Sequence, residues 1–246
     1  MVIHPDPAVL YPDVTAHGSL GAALRAAADG LLDSVPVTAS HSGPLLEARV
    51  GCTLPHREPL QVSAWRHERR WSVRGTDSFT GMALLDGTSD DLAEVAEAAR
   101  AWHDGVALSD LRRAAPFVHL TGRLEVPDLD PARLTEGEWQ HLRTEASELE
   151  QPWQPAYQAL VEAAHAEPAL RGLYPFTSHW ALRFSVTTRP RLSVVGPVLV
   201  AHDVDRYTVA ETMASKGFAQ FATAPEAVAA AVRQLPSGLS PVALGR

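Results

Sequence analysis

The fold turns on the reading of residues 173–185, LYPFTSHWALRFS. From His179 onward, polar and apolar residues alternate. At the two-residue period of a pleated strand, Trp180, Leu182, Phe184 and Val186 share one face, and His179, Arg183, Ser185 and Thr187 share the other. The Pro-Phe-Thr-Ser segment before them reads as a turn. A strand apolar on one side belongs in an antiparallel sheet with one solvated face.

Working outward, the C-terminal side continues the pattern. A second strand runs through 192–200, AHDVDR makes a turn into Tyr207 and Val209, and GFAQFA adds a further strand. TAPEAVAAAVRQLP closes this part as a helix, with Thr223 and Glu226 three residues apart as a capping box. Before the quoted stretch, residues 133–150 form an acidic amphipathic helix with Thr135 and Glu138 as its cap. Pro152 and Pro155 break it, and 156–166 forms another helix.

The N-terminal half repeats the logic. Residues 1–18 read as an extended lead-in, followed by a helix over SLGAALRAAADGLLDSV with Ser19 as N-cap. Strand-like runs follow at 46–52, 60–65, 71–73 and 79–85. The helix TSDDLAEVAEAARAWHDG comes next, capped by Thr88 with Asp91 and ended by Gly105, and ALSDLRRAAPFVHL adds a short helix. Grouped strands and grouped helices without βαβ alternation give an α+β class. The expected organisation is an N-terminal lead-in and helix (1–43), a β-meander plus helix module (44–125), a helical connector (126–170) and a second β-meander plus helix module (171–246), all within one compact unit.

Composition narrows the functional classes. A chain of 246 residues that is 46% apolar buries a substantial core. A formal charge of -8 and a pI near 5.7 argue against nucleic acid or an anionic membrane as partner. No apolar run approaches the roughly 20 residues of a membrane span, and the first residues carry no signal-peptide pattern, so a cytoplasmic location is expected. The lone cysteine, Cys52, excludes an internal disulfide or a CxxC pair and reads as a buried, inert thiol.

His179 is the sharpest catalytic candidate, because imidazole titrates near neutrality without help. On a strand, Arg183 would lie about 13 Å further along the same face, at roughly 3.3 Å per residue. Both could then line one groove, with Arg183 anchoring an anionic group and Ser185, Thr187, Tyr174 and Trp65 as lining. The bland reading has His179 capping the preceding turn and Arg183 paired with an acid on a neighbouring strand. Ser178 beside His179 suggests a nucleophile, but adjacent strand residues point apart unless a turn bends them together, and no G-x-S-x-G elbow surrounds it. His202, Asp203 and Asp205 form a weak metal-like set where a hairpin turn is wanted, so the turn is the expected use and no metal is assigned. Lys216, the single lysine, reads as an exposed loop charge. Neither G-x-G-x-x-G nor a Walker sequence is present, so no cofactor is expected.

The segments LRGLYPFTSHWALRFS, GTSDDLAEVAEAARAWHDGVALSDLRRAAPFVHL and AVAAAVRQLP together resemble an actinobacterial family of unknown function. Its members are commonly labelled natural product biosynthesis proteins. The resemblance runs from about residue 45 to residue 236, with the PFTSH…LRFS block its most specific part. Members continue through an acidic, glycine-bearing turn into Y-x-V; here HDVDRYTV keeps Tyr207 and Val209 and lacks the glycine. The resemblance implies a place in secondary metabolism and no reaction.

Two functional readings follow. The first, which leads because a titratable group sits beside apolar anchors, is a cofactor-independent tailoring enzyme. It would act on a small pathway intermediate by cyclisation, isomerisation, dehydration or hydrolysis, with His179 as general acid or base and Arg183 meeting an anionic group. The second is a non-catalytic binding protein for a pathway intermediate, a carrier protein or a toxin-like partner, its acidic surface suited to a basic partner. Either allows a homodimer. An enclosed pocket at His179 would favour the enzyme, and an exposed apolar patch there the binding protein.

Overall fold

The computed structural model describes residues 6–212 and 218–246, with Phe218 known by its backbone alone; Lys216 lies outside the described residues. The class is α+β, and the chain divides into two compact units, Met1–Thr121 and Gly122–Arg246.

In the first unit, the lead-in is helical where an extended chain was expected. Asp6 caps a short helix α1 (Pro7–Leu10), and α2 (Pro12–Ala16) follows, each opened by a proline whose missing N–H costs nothing at that position. α3 (Leu20–Ala27) is capped as its sequence indicates, Ser19 Oγ accepting from the Ala22 N–H at 3.1 Å. Asp29 and Gly30 both take positive φ, so the helix ends before Leu31 can reach the core. Six strands follow as an antiparallel meander in chain order, β1 (Val37–Ala39), β2 (Glu47–Val50), β3 (Leu60–Ala64), β4 (Trp71–Thr76), β5 (Ala83–Ser89) and β6 (Val118–Leu120). The last predicted strand shifts, because Asp77 collects Phe79 N, Thr80 N and Thr80 Oγ1 into a turn.

Between β5 and β6 lie α4 (Leu92–His103) and α5 (Leu108–Ala114). Asp91 itself caps α4 by accepting from Ala93 N at 2.8 Å, while Thr88 stays in β5. The buried face of the sheet, Val50, Leu60, Val62, Trp71 and Val73, shares one core with α3 and α4. Cys52 lies just past β2, half-buried rather than fully so, its thiol donating to Trp102 O.

The second unit opens with α6 (Pro131–Glu148), α7 (Gln154–Ala166) and α8 (Pro168–Arg171). The cap of α6 is Asp130 with Pro131 at the first helical position. Thr135 and Glu138 therefore fall inside the helix and not at its start. These helices do not serve as a connector. Trp139, Leu142, Tyr157 and Leu160 belong to the second unit's own core, with Leu182, Phe184 and Leu199 of its sheet. Then come β7 (Tyr174–Ser178), β8 (Ala181–Ser185), β9 (Thr187–Pro190), β10 (Val194–Asp203), β11 (Arg206–Ala210), β12 (Phe218–Phe221), α9 (Ala224–Arg233) and β13 (Ala243–Gly245). The main sheet is antiparallel in the order β12-β11-β10-β8-β7, and β9 pairs in parallel with β13. α9 carries the expected capping box between Thr223 and Glu226. No helix among the described residues is long and apolar enough to cross a membrane.

Candidate functional site

The segment read as a turn, 175–178, lies within a strand, the edge strand β7. Pro175 is tolerated there because an edge position can spare one backbone donor. Thr177 then stands opposite Leu182 and Ser178 opposite Ala181, leaving His179 and Trp180 as a two-residue hairpin loop. Both residues have positive φ, 53° and 64°. That is the pattern of a type I′ turn, normally filled by Asn-Gly, and side chains there store roughly 1–3 kcal/mol of backbone strain each. His179 and Trp180 are thus not on the strand, and the shared face expected for His179 and Arg183 does not exist.

The turn bends Ser178 and His179 together after all, Ser178 Oγ lying 3.3 Å from His179 Nδ1 at the exposed tip. Trp180 is 41% exposed. Its inner side packs on Trp153 at 5.1 Å and Tyr157 at 5.7 Å between ring centroids, and Trp153 and Tyr157 meet edge-on at 5.8 Å. This three-ring shelf on the first turn of α7 fixes the strained loop. Its signal was present in QPWQPAY: Trp153 and Tyr157 stand four apart, as neighbours on one helical face.

Beneath the shelf, Tyr157 is fully buried, and among the described residues neither its hydroxyl nor Glu145 Oε2 has a hydrogen-bond partner. Glu145 is the charged neighbour of that hydroxyl. Burial first, and the Glu145 charge second, push the phenol well above its usual range. Glu145 and Glu148 occupy the last turn of α6, a turn without a basic residue of its own, where the helix dipole disfavours carboxylates. The shelf therefore adjoins a negative pole.

The other predicted site residues lie elsewhere. Arg183, half-buried on β8, places its guanidinium carbon 5.3 Å from the Phe176 ring centre, and its buried Nε has no partner among the described residues. It makes no ion pair among the described residues, so the neighbouring-strand acid expected for it is missing. Ser185 is fully buried. Its Oγ accepts from Thr187 N at 3.0 Å and Ser193 N at 2.9 Å. Thr187 Oγ1 donates to Arg191 O and accepts from Ser193 N, both at 2.7 Å. These two hydroxyls hold the β8–β10 connection. Tyr174 is buried and donates to Glu138 Oε2 at 3.3 Å, beside the inner Arg123–Glu138 ion pair; burial and that carboxylate push its phenol far up. Trp65 belongs to the first unit, flanked there by His67 and by Arg70 over its ring. His202, Asp203 and Asp205 sit in and beside a tight β10–β11 hairpin, His202 Nε2 2.9 Å from Thr208 Oγ1 and Val204 N donating to Asp203 Oδ1.

Residues 133–246 match the model of a family of unknown function (DUF6193), a span that includes the hairpin and its aromatic shelf. No curated protein and no solved structure matches the chain.

Proposed function

We propose that the second unit is a non-catalytic binding module that presents the His179–Trp180 hairpin to a basic protein segment. We also place it in the cytoplasm and, in line with the resemblance noted above, in a natural product biosynthetic setting. The observation that carries the reading is Trp180, a large aromatic side chain 41% exposed at a strained turn, where Asn-Gly would be cheaper. Strain kept at an exposed tip is accounted for by what the tip contacts. Aromatic faces next to Glu145 at the carboxyl end of α6 suit a lysine or arginine side chain, through cation–π and charge attraction together.

The catalytic reading draws on the Ser178–His179 contact. An imidazole used as general base is oriented by a third group on its other nitrogen. Among the described residues none holds His179 so.

The test measures binding of a synthetic arginine- and lysine-rich peptide and of an acidic peptide of equal length by biolayer interferometry. The basic peptide is expected to bind, Trp180→Ala to weaken it at least tenfold, and His179→Ala to change it less than threefold. Equal binding of both peptides, or retention by Trp180→Ala, overturns the proposal. So does hydrolysis of 4-nitrophenyl acetate that vanishes with Ser178→Ala.

A further inference from the structure

The first unit contains a cleft of about 680 Å³ that the hairpin argument does not touch, within the 300–1,000 Å³ usual for small-ligand sites. Its rim carries Asp13, His17, Arg69, Asp90 and Asp91, Trp71 lines it from the core, and one wall is the alanine face of α3.

Charge in the cleft is unbalanced in a definite way. Arg69 is fully engaged by Asp13 through two bonds of 2.8 and 2.9 Å, and its third contact goes to Leu10 O. That pairing holds the Asp13 carboxyl below its ordinary range. Asp90 and Asp91 remain as two exposed carboxylates, and the arginine among the lining residues, Arg69, is taken by Asp13. The amino end of α4 is no anion site, since Asp91 already supplies its negative group to Ala93 N.

The second observation is Trp71. Three tryptophans of the chain are fully buried. Trp102 donates its indole N–H to Glu58 O at 3.0 Å, and Trp139 donates to Arg171 O at 3.1 Å. Among the described residues the Trp71 N–H has no acceptor. A buried donor left unpaired is costly, and the other two buried indoles each have an acceptor. Its ring lies under the Arg69 guanidinium, 4.7 Å from the ring centre. The indole is sealed by a half-exposed ion pair that must shift to admit a ligand.

We propose that this cleft binds a small organic cation: an ammonium group that meets Asp90 and Asp91, on a molecule carrying a hydroxyl or carbonyl oxygen that accepts from Trp71. The alanine wall leaves room for a compact carbon skeleton.

Three size-matched probes test it on the full chain: glucosamine as cation, glucose as neutral analogue and gluconate as anion. Each is titrated at millimolar concentration while the through-bond-assigned indole ¹⁵N–¹H resonance of Trp71 is followed by NMR. Glucosamine is expected to move that resonance and to bind at least tenfold tighter than glucose, with gluconate inert. The double substitution Asp90→Asn and Asp91→Asn should remove the preference for the amine, and asparagine caps a helix as well as aspartate, so α4 is kept. The proposal is overturned if the Trp71 resonance stays fixed, if gluconate binds as well as glucosamine, or if the double variant keeps full affinity for the amine.

Discussion

Ser185 illustrates how a residue type seen in sequence separates from its use in the structure. Its hydroxyl was a natural candidate for lining a groove, yet it is fully buried and bonded to the backbone of Thr187 and Ser193. Ser185→Ala strips Thr187 N of its acceptor, while Ser193 N keeps Thr187 Oγ1. The expected cost is about 1–3 kcal/mol in urea unfolding, with peptide binding at Trp180 unchanged. A loss of binding at wild-type stability would return Ser185 to the site. His179 offers the opposite case. Its φ of 53° is a conformation glycine adopts freely, so His179→Gly should raise stability by about 1 kcal/mol in the same assay. A fall in stability would mean that the imidazole contributes more to the tip than its contact with Ser178.

Elements were legible where local chemistry is self-contained. Ser19 capping α3, Gly105 ending α4 and the Thr223–Glu226 box each rest on bonds within a few residues, which sequence displays directly. The β7–β8 hairpin was hidden for two physical reasons. Pro175 argued against a strand, and His-Trp lacks the turn chemistry that marks a two-residue loop, so the alternation from 179 absorbed the turn into the strand. The Asp130 cap was masked in turn by the box-like spacing of Thr135 and Glu138. Packing between elements was least visible, as Gly75 shows. Any Cβ there would lie 2.5 Å from the ring of Trp102, which is fully buried and tied to Glu58 O. Gly75→Ala should therefore cost about 1–3 kcal/mol or more, read from the urea midpoint, because the indole that joins α4 to β4 cannot step aside. A neutral result would show that α4 shifts on the sheet without losing its contacts.

At the scale of the whole molecule, the two cores should respond differently to acid. His165 and His202 both lie in the second unit, and both are held below the ordinary 6.5, His165 by burial and then by Arg143, His202 by burial and then by Arg206. A histidine whose folded pKa is depressed takes up protons more readily in the unfolded chain. The stability it contributes is thus present above 6.5 and lost as pH falls through and below that value. In the first unit, Asp13 is depressed by its bonds to Arg69, below an ordinary value of 3.8. Its contribution is lost only when pH falls through the carboxylate range, and it is modest because the pair is 42% exposed on both sides. Between roughly pH 6.5 and pH 4 the second unit should therefore weaken while the first holds. Native-state hydrogen exchange at pH 7.5 and pH 5, corrected for intrinsic rates, is expected to show the opening free energy falling for amides of α7 and staying level for those of α4. Equal losses in both helices would mean that the chain unfolds as a single cooperative unit, in which a proton taken up at His165 is felt as strongly at Trp102 as at Trp139.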